Sequence, residues 1–118
     1  MTKFDLENNL KALGEDFKIS ELQQYIKNMY EANGWTSTDP RDRIMYVTEE
    51  VGELAHAVRK SLGHSIDLAK ENNDTVEDEA ADVLITLCAL CNVMNIDLNK
   101  AFLQKQAKNC KRTWTKKS

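Results

Sequence analysis

From Ser20 to Arg112 apolar side chains return at every third or fourth position, and little interrupts them: 118 residues hold four glycines and one proline. That period is the repeat of a helix face, whereas a strand alternates every second residue. Ser20, with Gln23 three residues on, predicts a capping box that opens a first helix. Leu22, Tyr25, Ile26, Met29 and Tyr30 mark its apolar face, and Gly34 stands where a C-terminal cap belongs. Asp39-Pro40, a cap followed by proline at the first helical position, opens a second helix. Its stripe is Ile44, Val47, Val51, Leu54 and Val58, and Gly63 is the expected stop.

A third helix is expected from Asp74 or Thr75, with an acidic first turn that suits the helix dipole. Val76, Ala80, Val83, Leu84, Leu87, Leu90, Cys91 and Met94 keep its period, and Asn95 ends it. Asp97 caps a fourth helix running to about Arg112. Residues 63–74 read as a polar loop and Trp114 to Ser118 as a frayed basic tail. Leu6, Leu10, Leu13 and Phe17 predict a short helix or an arm packed on the body. The expectation is an all-α, four-helix bundle-like domain over residues 18–114, with an N-terminal extension over 1–17 and a tail over 115–118. The stripes are wide for such short helices, so a homodimer or homotetramer is expected to complete the fold.

A net charge of −3 and a pI of about 5.4 give no global attraction for a nucleic-acid polymer or an anionic membrane. An anionic ligand would need local cations. No apolar run approaches the roughly 20 residues of a membrane span, and residues 1–17 are mostly polar. The expected address is the cytoplasm. Cys88 and Cys91 form C-x-x-C inside an apolar helical stretch, which predicts buried free thiols in a reducing compartment.

The chemistry is concentrated in carboxylates. Glu50 and Glu53 lie three residues apart in the second helix, and Glu79 and Asp82 three apart in the third, so each pair shares a helix face. Each flanks an apolar stripe. If the two helices pack antiparallel, the four groups face one another and repel until something neutralises them. A hard cation with oxygen ligands does so, and Mg²⁺ also binds substrate phosphates. Gly52, mid-helix at a cost of about 1 kcal/mol, predicts a close approach by another helix or a ligand. Glu53-Leu54-Ala55-His56 is a single Glu-x-x-His, whereas carboxylate-bridged di-iron bundles use two. His56 therefore reads as a surface residue or a neighbour of the site. The other histidine, His64, falls in the loop. Phe102, Lys105, Asn109 and Arg112 share one stripe of the fourth helix. A cationic stripe suits phosphate oxygens, and a solvated basic helix end is the simpler alternative. Trp35 could stack on a base or pack in a core or interface.

Glu49-Glu50-Val51-Gly52-Glu53 followed by Glu79-Ala80-Ala81-Asp82 resembles the signature of the MazG-like all-α nucleoside triphosphate pyrophosphatases. The flanks Thr48 to Ala55, Ala81 to Ile85, Gly34-Trp35 and Asn95 to Leu98 are similar to that family as well. The resemblance covers roughly residues 20–114. It implies Glu50, Glu53, Glu79 and Asp82 as metal ligands for Mg²⁺, with Mn²⁺ able to substitute. It implies that Glu49 stands behind them or orients the attacking water, so that Glu49, Glu50 and Glu53 serve catalysis. Lys105, Asn109 and Arg112 match a family Lys, Asn and Arg arrangement that would bind substrate, and Trp35 is the separate candidate for stacking on the base. The implied reaction converts a nucleoside triphosphate and water to the monophosphate and pyrophosphate, clearing surplus or non-standard nucleotides. The alternatives are a non-catalytic helical binding or scaffold module and a di-iron protein.

Overall fold

A computed structural model describes residues 5–63 and 74–113. The polar loop with His64 and the tail from Trp114 lie outside the described residues. Five helices and no strand are present among those described: α1 Leu6–Leu13, α2 Ile19–Ala32, α3 Pro40–Ser61, α4 Val76–Val93 and α5 Leu98–Cys110. The all-α expectation holds, and the N-terminal extension supplies a helix of its own. Asp5 caps it by accepting from the Asn8 N–H, and Leu13 packs against the core.

Local chemistry sets most boundaries. Asp39 caps α3 with Pro40 in its first turn, Thr75 caps α4, and Asp97 caps α5. Gly34 and Asn95 both take positive φ, 76° and 55°. In each case the next amide reaches back five residues, Trp35 N–H to the Tyr30 carbonyl and Ile96 N–H to the Cys91 carbonyl, each at 2.9 Å. This is the left-handed stop that glycine and asparagine accommodate. Arg112 falls past the end of α5, not within it.

The start of α2 differs from the expected Ser20–Gln23 box. Lys18 is the cap residue, and its N–H donates to the Glu21 carboxylate at 3.0 Å. Gln23 is buried and serves a long-range purpose. Its amide donates to the Asn92 side chain at 3.1 Å and to the Ile96 carbonyl at 2.8 Å. Its oxygen accepts from the Leu98 N–H at 2.9 Å, and Asn92 donates to its backbone carbonyl. One side chain thus ties α2 to the corner between α4 and α5. A cap needs only a local partner, and these distant partners outcompeted it.

The core is small: Leu22 and Ile26 of α2 against Cys88 and Ala89 of α4, with Tyr25, Met29, Ile85 and Leu98 around them. Helix α3 packs along α4 and has no comparable contact with α1, α2 or α5. Ala57, Lys60 and Ser61 at the end of α3 border Thr75 and Val76 at the start of α4, while Tyr46 lies near Thr86. The two helices therefore run antiparallel, as the acidic motif requires.

The expected stripes are only partly covered. On α3 the buried residues are Arg43 and Ala57 and the half-buried ones include Val47 and Leu54, whereas Ile44 (46% exposed), Val51 (48%) and Val58 (38%) face outward with Leu62. On α4 most of the expected stripe faces inward: Cys91 is buried and Val76, Val83, Leu87 and Leu90 are half-buried, joined by buried Glu79, Cys88 and Ala89, while Ala80, Leu84 and the C-terminal cap Met94 are exposed. An apolar face wider than one neighbour can cover leaves its rotation to the packing partner. At Gly52 a Cβ would meet nothing within 4 Å, so the expected close approach is not made by a described helix packed within this chain.

Candidate active site

Antiparallel packing places the middle of α3 opposite the first turns of α4. Glu50, Glu79 and Asp82 each offer a carboxylate oxygen, and the three lie within 4.8 Å of one another. Glu79 is only 2% exposed, and Glu50 and Asp82 are half-buried. Glu49, Glu53 and Asp74 line the same acidic cavity of about 400 Å³. Glu53 belongs to this cavity but lies outside the close trio, in which Glu50 is the α3 carboxylate.

Electrostatics follow from that crowding. Burial first, then Asp82, Glu53, Glu49 and Asp74, raise the Glu50 pKa above its ordinary value. Glu79 is raised by burial, by the Asp74 charge and a hydrogen bond with Asp74, and then by Asp82 and Glu50. Asp82 is raised by burial and by Asp74 and Asp78. Among the described residues lining this cavity none is a cationic side chain. Three converging carboxylates whose ionisation is opposed by burial and by one another fit a hard divalent cation.

Asp74 is the site residue that sequence reasoning missed. The sequence offers Asp74 or Thr75 as the start of α4, and Thr75 is the cap, taking the Asp78 N–H. The signal was the place of Asp74 five residues before Glu79, a level that only the packed helices define.

A second cavity, of about 520 Å³, adjoins the first through Glu50. Tyr30, Trp35, Arg43, Tyr46 and Thr86 also line it. Trp35 is 52% exposed and meets the Tyr30 ring edge-on at 5.1 Å. It is neither a core residue nor remote from the carboxylates. Lys105, Asn109 and Arg112 line neither cavity of this single chain, because α5 packs on α2 and leaves α4 at a bend of 97°. His56 is half-buried, stands outside the carboxylate trio, and has a buried Nε2 with no partner among the described residues.

The family model of the MazG nucleotide pyrophosphohydrolase domain matches residues 39–114 of this chain, a span that holds both acidic helices. The chain belongs to the MazG nucleotide pyrophosphohydrolase family. It is 34% identical over 101 residues to the uncharacterized protein YpjD of Bacillus subtilis, covering 83% of this chain and 87% of that one. It is 29% identical over 101 residues to the uncharacterized protein YvdC of the same organism, covering 80% of this chain and 95% of that one. No solved structure matches the chain. MazG membership agrees with the all-helical fold. No single described helix is long and apolar enough to cross a membrane. Cys88 and Cys91 are buried free thiols, the former pushed up to about 11 by burial and by Cys91, so both stay protonated at neutral pH.

Proposed function

We propose that this chain hydrolyses nucleoside triphosphates, ribo- or deoxyribo-, to the monophosphate and pyrophosphate, with Mg²⁺ or Mn²⁺ as cofactor. The observation that carries the reading is the trio Glu50, Glu79 and Asp82, two helices' carboxylates converging within 4.8 Å in a family of nucleotide pyrophosphohydrolases. These three, with Glu53 at the cavity wall, would hold the cation. When bound, the cation offsets triphosphate charge and lowers the pKa of a water.

The chain's own residues do the rest. Glu49 and Glu53 border the acidic cavity and can accept a proton from an attacking water. Trp35 and Tyr46 offer ring surface for the nucleoside in the adjoining cavity. Positioning of the phosphate chain between the two cavities sets the line of attack. Lys105, Asn109 and Arg112 are assigned to phosphate, and that role calls for an α5 brought to the acidic cavity by a second copy of the chain. A homodimer or homotetramer fits the outward stripe of Ile44, Val51, Val58 and Leu62, and the open space at Gly52. The cellular role that follows is removal of surplus or non-standard nucleotides in the cytoplasm.

A panel of ribo- and deoxyribonucleoside triphosphates with Mg²⁺, assayed for pyrophosphate and monophosphate, tests the reading. Release of pyrophosphate from at least one member is expected. Diphosphate and inorganic phosphate as products, or no turnover across the panel, would overturn it.

A further inference from the structure

Arg43 is 6% exposed, rare for an arginine that has no carboxylate partner among the described residues. Its terminal nitrogen donates to the carbonyls of Trp35 at 2.9 Å and Ser37 at 3.0 Å. Its charge lies over the Tyr30 ring, 4.9 Å from the centroid. Its Nε is buried and has no hydrogen-bond partner among the described residues. The side chain borders two cavities, of about 390 and 520 Å³, the larger of which reaches the carboxylate trio through Glu50. Both volumes are in the range of small-molecule sites. A buried donor left unsatisfied costs free energy, so a small shift of the guanidinium that brings it to an acceptor on a ligand in the cavity would be favoured.

We infer that Arg43 reads the nucleobase, selecting nucleotides that carry a carbonyl at the pyrimidine 4 or purine 6 position over those with an amino group there. The inference deepens the hydrolase reading and rests on it for the placement of the phosphates. With the triphosphate at Glu50, Glu79 and Asp82, the nucleoside enters the cavity that Glu50 shares, between Trp35 and Tyr46. A guanidinium is donor-only. The carbonyl of uracil, thymine, guanine or hypoxanthine can accept from it, whereas the amino group of cytosine or adenine would set donor against donor. A site built to satisfy such a bond rejects the analogue that cannot make it. Asp42, the other charged group besides Glu50 lining this cavity, is engaged by the Ser37 hydroxyl at 2.8 Å.

The test uses nucleosides, which lack phosphates, and Trp35 fluorescence in full-length protein carrying Trp114→Phe, since the chain has two tryptophans. Uridine and inosine should bind roughly tenfold or more tighter than cytidine and adenosine, the scale of one charge-assisted bond. In Arg43→Met, and in Arg43→Lys, which keeps charge without Nε, that ratio should fall toward one. If Arg43→Met does not fold, uridine against its 4-deoxo analogue in the unsubstituted site carries the test, with the same loss expected. Equal binding of keto and amino nucleosides overturns the inference, as does tighter binding of the amino pair, which would make Asp42 the reader. A ratio that survives in both variants makes Arg43 only a clamp on residues 35–37 and overturns it too, as does the absence of nucleoside binding. Pyrophosphate release without base discrimination would sink this inference and leave the hydrolase reading standing. Base discrimination without turnover would do the reverse.

Discussion

Glu50 of α3 and Asp82 of α4 bring carboxylate oxygens within 4.8 Å of each other across the helix contact, with Glu79 as third member. Each is raised above its ordinary pKa, burial coming first and neighbouring carboxylates next. Like charges held together in the fold but free to separate in the unfolded chain make the metal-free protein less stable than it could be.

Metal should therefore stabilise the protein whatever the substrate. A cation bound only by the native state contributes about 2.7 kcal/mol at a hundredfold excess over Kd, which for a domain of this size raises Tm by roughly 10 °C. Glu50→Gln combined with Asp82→Asn should abolish that rise and leave the metal-free protein no less stable. Melting curves in EDTA and in millimolar-range Mg²⁺ or Mn²⁺ at matched ionic strength measure both effects. A wild-type curve indifferent to saturating metal would remove the trio as a cation site.

The same groups set a pH dependence. A raised carboxylate pKa means the folded chain holds its proton more firmly than the unfolded chain. The stability from Glu50, Glu79 and Asp82 is thus full below the ordinary carboxylate range and is lost as pH rises through their raised folded values. In EDTA, as far as these groups decide it, the protein should melt higher near about pH 5 than near about pH 8. Asp39 is held low by its bonds to Arg41 and acts in the opposite sense, losing its contribution as pH falls. The double variant should flatten the slope, and an unchanged slope would assign it to other groups.

Glu53→Gln should reduce kcat strongly while leaving helix content intact. Glutamine keeps the shape but removes a charge at the wall of the acidic cavity. Glu50→Gln should be at least as severe, because Glu50 is in the trio and Glu53 is not. Steady-state kinetics alongside circular dichroism decide the order, and full activity in Glu53→Gln would take it out of the site.

Lys105→Ala and Arg112→Ala should raise KM for the triphosphate by roughly tenfold each, the scale of a charge-assisted bond to phosphate. Both residues lie away from the cavities of a single chain, so the effect is expected only where the chain self-associates. Kinetics paired with sedimentation at several concentrations test this. Unchanged KM in both variants returns the helix end to a solvated basic surface.

Gln23→Leu should destabilise by about 2 kcal/mol or more, since the Leu98 N–H and the Ile96 carbonyl would be left without their buried partner. Denaturant midpoints measure it. A capping role alone would predict the smaller loss typical of an exposed helix terminus.

The helices and their ends were legible in the residues. Asp39-Pro40, Thr75, Asp97, Gly34 and Asn95 act on the few residues beside them, so their chemistry needs no tertiary partner. The spacing of Glu50 with Glu53, and of Glu79 with Asp82, was equally local, and antiparallel packing brings the two helices' acids into one cavity. Arg43 and Asp74 carried no such signal. Arg43 acquires its setting from Tyr30 and Trp35 on the preceding helix and turn, and Asp74 from Glu50 across the helix contact.

What the sequence by itself determined is an all-helical chain with two acidic pairs on neighbouring helices, because the 3.6-residue period and terminal caps are properties of short stretches. Tertiary structure decided which way each helix is turned. It set Glu50, not Glu53, against Asp82, sank Arg43 beneath the aromatic cavity, faced Val51 outward, and made Gln23 a junction of three helices. An apolar stripe broader than its neighbour permits several rotations of nearly equal local cost. The choice among them falls to long-range packing and to buried polar groups, which must find partners wherever the fold provides them.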